Sequence, residues 1–280
     1  MSRRISLWVK EYPLVLYFIL AYVITWIIVL PVVASAQGFI SVPASLYALH
    51  YLSAYGPLLA AVIVTWITDG GDGLRELFGR MIRWRVGLGW VLVAALSPLA
   101  LFGLAALIVL AVVGGAPPDL SLAGHVNFLP YLGIGALVLW LLTSGIGEET
   151  GWRGYALPRL QRNMSALSAT LILTVFWVFW HLSRFFYFGA FVELGFSVLP
   201  LFALQLLAMG IVLTWLYNST NGSILMAALF HGGFNFLPAG GAAAEGYIAP
   251  TARVLLIIWA VVVVAVFKPA NLSRKVKQAQ

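Results

Sequence analysis

Of the nine acidic residues in the chain, Glu148 and Glu149 stand side by side in a strongly apolar stretch, GIGEETGWRGYAL. An ionised carboxylate at the centre of a bilayer costs about 2.5 to 3.5 kcal/mol on insertion scales, so acids in such a context face a polar interior and have partners. The bland alternative is a helix end that reaches the membrane interface. On a helix, residues four apart share a face, so Glu149 can pair with Arg153, while Glu148 points about 100° away. This predicts two jobs: Glu149 stays ionised and structural, whereas Glu148, less compensated, is free to act as a general base.

Two histidines offer further chemistry. His181 lies in FWVFWHLSRFFYF, an aromatic surround in which a lone histidine is ordinarily a packed core residue. His231 lies in MAALFHGGFNF, with Asn235 four residues on and on the same face. Gly232 and Gly233 beside it remove side-chain bulk, which admits close approach by a backbone or substrate and also suits plain helix packing. Together these residues hold a carboxylate, two imidazoles and an amide, the ingredients for activating water and stabilising an oxyanion. They also match the ligand types of catalytic zinc, yet their spacing is neither HExxH nor another local zinc motif.

The elements that must position these groups are membrane helices. The 280 residues are 62% hydrophobic and 9% charged, with a mean hydropathy of +0.99. Soluble domains carry about a quarter charged residues. Strand alternation is absent, so the expected fold is all-α, a single polytopic bundle over 1–280. Apolar runs near the roughly 20 residues needed to cross a ~30 Å core fall at about 13–34, 46–67, 89–113, 129–149, 166–188, 196–217, 222–239 and 251–267, eight spans in all. With no cysteine, disulfides, thiolate metal sites and a cysteine nucleophile are excluded.

The net charge of +7 is spread between apolar runs rather than gathered in one patch, which argues against nucleic acid as a partner. Topology explains it better. Arg3, Arg4 and Lys10, then Arg75, Arg80, Arg83 and Arg85, then Arg159 and Arg162, then Lys268, Arg274, Lys275 and Lys277 all fall on one side of an eight-span chain. GFISVPAS and the stretch around Asp119 fall on the other, so both termini are expected in the cytoplasm of a cell-membrane protein. The N-terminal run ending at Ala34-Ser35-Ala36 resembles a cleavable signal, but it exceeds the usual 7 to 15 apolar residues and is read as a retained helix.

At residues 130–240 the chain resembles the CPBP family, also called Abi, which contains type II CAAX prenyl endopeptidases and bacteriocin-processing proteases. The family's EExxxR appears as Glu148 to Arg153, its FxxxH as WVFWH ending at His181, and its HxxxN as His231 to Asn235. The resemblance implies that Glu148 acts with His181 to activate the attacking water. It further implies that His231 and Asn235 stabilise the tetrahedral oxyanion and that Glu149 and Arg153 organise the site. The family has been described as metalloproteases and as metal-free glutamate proteases, so zinc and no cofactor both stay open; a metal would draw on Glu148, His181 and His231. Trp177 replaces the family's Phe, a change expected to alter packing beside His181 more than chemistry.

If the fourth span ended at Gly147 and the fifth at Ser183, Glu148 and His181 would lie near opposite faces. The fourth helix is therefore expected to run beyond Arg153. The leading expectation is hydrolysis of peptide bonds in a membrane-associated protein or peptide, entering from lipid or the cytoplasmic side. Its rivals are a non-catalytic immunity or scaffold protein and a proton-coupled transporter, the last disfavoured by the lack of paired half-repeats.

Overall fold

The computed structural model describes residues 11–114, 116–244 and 246–279, all of whose regular structure is helical. Arg3, Arg4 and Lys10, used in the topology expectation, lie outside the described residues. The long helices are α1 (Pro13–Ala36), α2 (Tyr55–Met81), α3 (Leu88–Val112), α4 (Ala166–Trp180), α5 (Leu199–Ser219), α6 (Ile224–Phe236) and α7 (Ile248–Asn271). Local signals account for several starts. Pro13 opens α1, where its missing N–H costs nothing. The Ser165 and Ser223 hydroxyls cap α4 and α6 by accepting from the amides of Ser168 and Met226 at 3.0 and 3.3 Å.

Among the described residues, five helical stretches are long and apolar enough to cross a membrane, or six if the bent pair Ala44–Leu52 and Tyr55–Met81, kinked by 44°, counts as one span. This is an all-α, multi-spanning membrane bundle. The expected seventh span is the shorter helix α6, 13 residues long. The expected fourth is an irregular run over 135–161, in which α turns alternate with π turns at Leu141–Glu148 and Trp152–Ala156. As the depth argument required, this run continues past Arg153, to Gln161. Thr143, Ser144 and Thr150 each bond back to the carbonyl four residues earlier, at 2.7, 3.0 and 2.7 Å, so their hydroxyls are satisfied inside the bundle.

Small residues let α6 and the 141–148 turn approach closely. A Cβ on Gly232 would meet the Leu141 Cα at 2.8 Å, and one on Gly145 would meet the Ala228 carbonyl oxygen at 2.8 Å. Of the two readings open for Gly232, backbone packing is the one realised; Gly233 abuts Pro98. The main core gathers Tyr17, Trp152, Tyr155, Trp177 and Trp180, each at most 2% exposed, around the middle of this run.

Hydrogen bonds tie the two ends of the bundle separately. At one end Arg159 pairs with Asp69 at 2.9 Å, the Ser223 hydroxyl donates to the Arg83 carbonyl at 2.6 Å, and Gln161 donates to the Gln278 carbonyl at 2.6 Å. At the other, Gln37 donates to the Phe186 carbonyl at 2.8 Å and the Tyr51 hydroxyl to the Asn127 carbonyl at 2.8 Å. The active-site candidates lie between these ends.

Candidate active site

Glu148, His181, His231 and Asn235 come from the 135–161 run, the end of α4 and α6, and all four line one cavity of about 250 Å³. Glu149 and Arg153 do not line it. They are fully buried behind its wall, where the Arg153 guanidinium donates to Glu149 Oε1 at 2.9 Å with both side chains at most 1% exposed. The same Oε1 lies 2.8 Å from Nδ1 of His231. A carboxylate paired with arginine is acceptor-only, so Nδ1 of His231 is the protonated, donating nitrogen and Nε2 is left for the cavity. This is the arrangement by which a buried carboxylate fixes the tautomer and rotation of an imidazole. The sequence paired Glu149 with Arg153 alone; its bond to His231, 82 residues away, had no local signature.

His181 is fixed in a similar manner. Its Nδ1 stands 2.7 Å from the Trp177 carbonyl, which can only accept, so again Nε2 is the free nitrogen. Asn235 donates from Nδ2 to the Ser144 hydroxyl at 2.8 Å, and the second hydrogen of that amide remains available.

Glu148 is 1% exposed and held at both oxygens. Trp177 Nε1 donates to Oε2 at 2.9 Å, and the Arg184 guanidinium lies 4.0 Å from Oε1. Trp177 therefore does more than repack its surroundings. Its indole binds the candidate base, lies under the Arg153 guanidinium at 4.5 Å, and meets the His231 ring edge-on at 5.5 Å. Arg184 lies outside the three motifs, although a charged residue three positions after His181 in an aromatic run is the same anomaly that marks the others. His50, Asn127, Gln205 and Arg253 complete the polar lining.

A catalytic metal ion needs about three converging ligands. Among the described residues no group of three or more His, Asp or Glu side chains is arranged to hold one. Nδ1 of each histidine is engaged, which leaves Nε2 open as in a metal-binding imidazole, but Glu148 is directed to Trp177 and Arg184. As placed, Glu148, His181 and His231 do not converge as a three-ligand set, and the reaction below is written with side chains and water alone.

A buried glutamate-histidine cavity inside a polytopic helical bundle defines the class: a membrane protein with an enclosed polar site. Residues 130–237, which carry all three motifs, match the family described as type II CAAX prenyl endopeptidase Rce1-like. The chain is also similar to CAAX prenyl protease 2 of Methanococcus maripaludis, at 28% identity over 233 residues that cover 77% of this chain and 80% of that protein. Both matches are to type II CAAX prenyl proteases, the group whose motifs the chain resembles at 130–240.

Proposed function

We propose that the chain is an intramembrane endopeptidase that hydrolyses a peptide bond in a membrane-associated protein or peptide. The observation that supports this most is the convergence of Glu148, His181, His231 and Asn235 on one cavity, with Glu149 locking the His231 ring. In the proposed reaction a water held by Glu148 and Nε2 of His181 gives its proton to Glu148, and its oxygen adds to the scissile carbonyl carbon. The oxyanion accepts from the free hydrogen of Asn235 Nδ2 and from Nε2–H of His231. That second donor exists only on the doubly protonated ring, whose charge Glu149 balances. Collapse breaks the C–N bond as the proton on Glu148 passes to the departing nitrogen. Two peptides result, and the side chains return to their starting states.

The test is proteolysis of a membrane-anchored peptide by the purified protein with and without a chelator, beside Glu148→Ala and His231→Ala. The expected result is loss of cleavage in both variants and no effect of the chelator. Cleavage retained by both variants would refute the assignment, and loss with chelator alone would refute the metal-free route.

A further inference from the structure

Besides its histidines, the cavity is lined by three ionisable side chains, Glu148, Arg184 and Arg253. Glu148 and Arg184 stand 4.0 Å apart and offset each other. Arg253 has no such partner. Its Nε is buried without a hydrogen bond, and its guanidinium makes no hydrogen bond or ion pair with any described residue. It belongs to α7, beyond the residues 130–237 that carry the three motifs.

Arg253 is not a surface cation reaching for lipid headgroups. On α7, Ala249, Leu256 and Ala260 are buried, whereas Val254, Ile258 and Val261 are exposed on the outer face. Arg253 stands four residues after Ala249 and three before Leu256, which puts it on the buried face. A guanidinium held inside an apolar bundle is costly unless an anion meets it. The cavity wall around it is largely apolar, from Phe188, Phe191, Phe202, Leu206 and Met209, and no described residue supplies that anion. The side-chain amide of Gln205 is a second donor in the same cavity without a hydrogen bond to any described residue.

We propose that Arg253 is a specificity residue whose guanidinium holds a carboxylate of the substrate close to the bond that is cut. In a peptide that group is the C-terminal carboxylate or an aspartate or glutamate side chain, one chemistry from two sources. A cavity of about 250 Å³ has room for only a few residues, each about 3.3 to 3.6 Å long when extended, so the carboxylate lies within a few residues of the scissile bond. The planar fork of the guanidinium matches a carboxylate through two parallel N–H···O bonds, and Gln205 has an amide hydrogen to add. The proposal rests on the endopeptidase reading for the word substrate; the carboxylate site itself is read by binding alone.

The test compares three dansylated apolar tetrapeptides: one with a free C-terminal carboxylate, its C-terminal amide, and that amide with one residue changed to glutamate. Binding to the purified full chain in detergent is read by fluorescence anisotropy, with the peptide shown intact by mass spectrometry. A carboxylate form is expected to bind roughly 10- to 100-fold more tightly than the plain amide, the worth of a charge-assisted hydrogen bond. Which carboxylate form gains the affinity tells the terminal group from an acidic side chain. Arg253→Met is expected to abolish the preference while leaving the amide's affinity and the thermal midpoint unchanged. Arg253→Lys, which keeps the charge but not the fork, is expected to restore part of it. Equal binding of all three peptides by the unaltered chain, or binding of none, overturns the proposal. So does an Arg253→Met variant that weakens all three alike, the mark of a merely structural role. In cleavage of a carboxylate peptide, Arg253→Met is expected to raise KM roughly 10- to 100-fold with kcat unchanged. If the carboxylate preference is found and no peptide is cut, the binding site stands and the endopeptidase reading falls.

Discussion

The Glu149–Arg153 pair permits a quantitative test. Both side chains are at most 1% exposed and meet at 2.9 Å, and Glu149 Oε2 and Arg153 Nε have no further hydrogen-bond partner. Removing one member leaves the other charged, buried and undercompensated, which costs about 3 to 5 kcal/mol. Arg153→Met keeps a flexible chain against the Trp177 ring and strips the charge. Glu149→Gln keeps an acceptor for His231 Nδ1–H and likewise strips the charge. Each single variant is expected to lose about 3 to 5 kcal/mol in reversible denaturation in detergent. The double variant removes both charges and is expected to lose no more than either single one, a coupling of roughly 3 kcal/mol.

Activity separates the two roles. The double variant is no less stable than either single one but replaces the carboxylate at His231 Nδ1 by a neutral amide, so in the proposed reaction the oxyanion donor is weakened. Loss of one such donor lowers turnover by about 100- to 1000-fold. Single variants that each cost under about 1 kcal/mol, the value of an exposed pair, would refute the burial argument. A double variant with full turnover would refute the role given to Glu149.

Trp177→Phe deletes the bond to Glu148 but keeps an aromatic ring beside His231 and Arg153, so kcat is expected to fall up to about tenfold, the worth of one hydrogen bond, in a steady-state peptide cleavage assay. Trp177→Ala also deletes the ring contacts and is expected to cost about 3 to 5 kcal/mol in the same denaturation measurement. Gly232→Ala forces a methyl against the Leu141 backbone and is expected to destabilise by about 1 to 3 kcal/mol, whereas Gly89→Ala, with open space around it, leaves the thermal midpoint unchanged or raised. A chelator added to the purified protein is expected to leave both cleavage and thermal midpoint unchanged, read by peptide cleavage and a melting scan.

What was legible in the sequence was whatever depended on spacing along one helix or on cost in the bilayer. The Glu149–Arg153 pair follows from a separation of four, and the anomaly of Glu148, His181 and His231 follows from the price of polar groups in apolar surroundings. What could not be read was partnership between distant segments. The His231 bond to Glu149 and the Trp177 bond to Glu148 depend on helix rotation and side-chain rotamers, which no local period encodes. The spans at 129–149 and 222–239 were drawn as uniform apolar helices. Hydropathy cannot distinguish those from a run broken by π turns or a 13-residue helix, since it registers composition and not the hydrogen-bond pattern.

Adjacent glutamates pose a problem that this run solves. Two neighbouring carboxylates in a bundle cannot share one small pocket without strong mutual repulsion. Glu148, the last residue of the π turn Leu141–Glu148, is delivered to the cavity, under Trp177 and Arg184, and Glu149, the first residue after it, to the packed interior, with Arg153 and His231. Gly210 packs opposite, where an added Cβ would crowd Thr174 Oγ1 at 3.1 Å and Thr170 Cγ2 at 3.2 Å and would only touch the Arg153 guanidinium, at 3.6 Å. Because the run continues to Gln161, the pair is enclosed rather than exposed at a helix end, and Glu149 Oε1 meets both Arg153 and His231 there. The ion pair beneath the cavity and the imidazole within it are therefore one unit. A change that frees Glu149 from Arg153 should disturb the His231 ring before it disturbs Glu148.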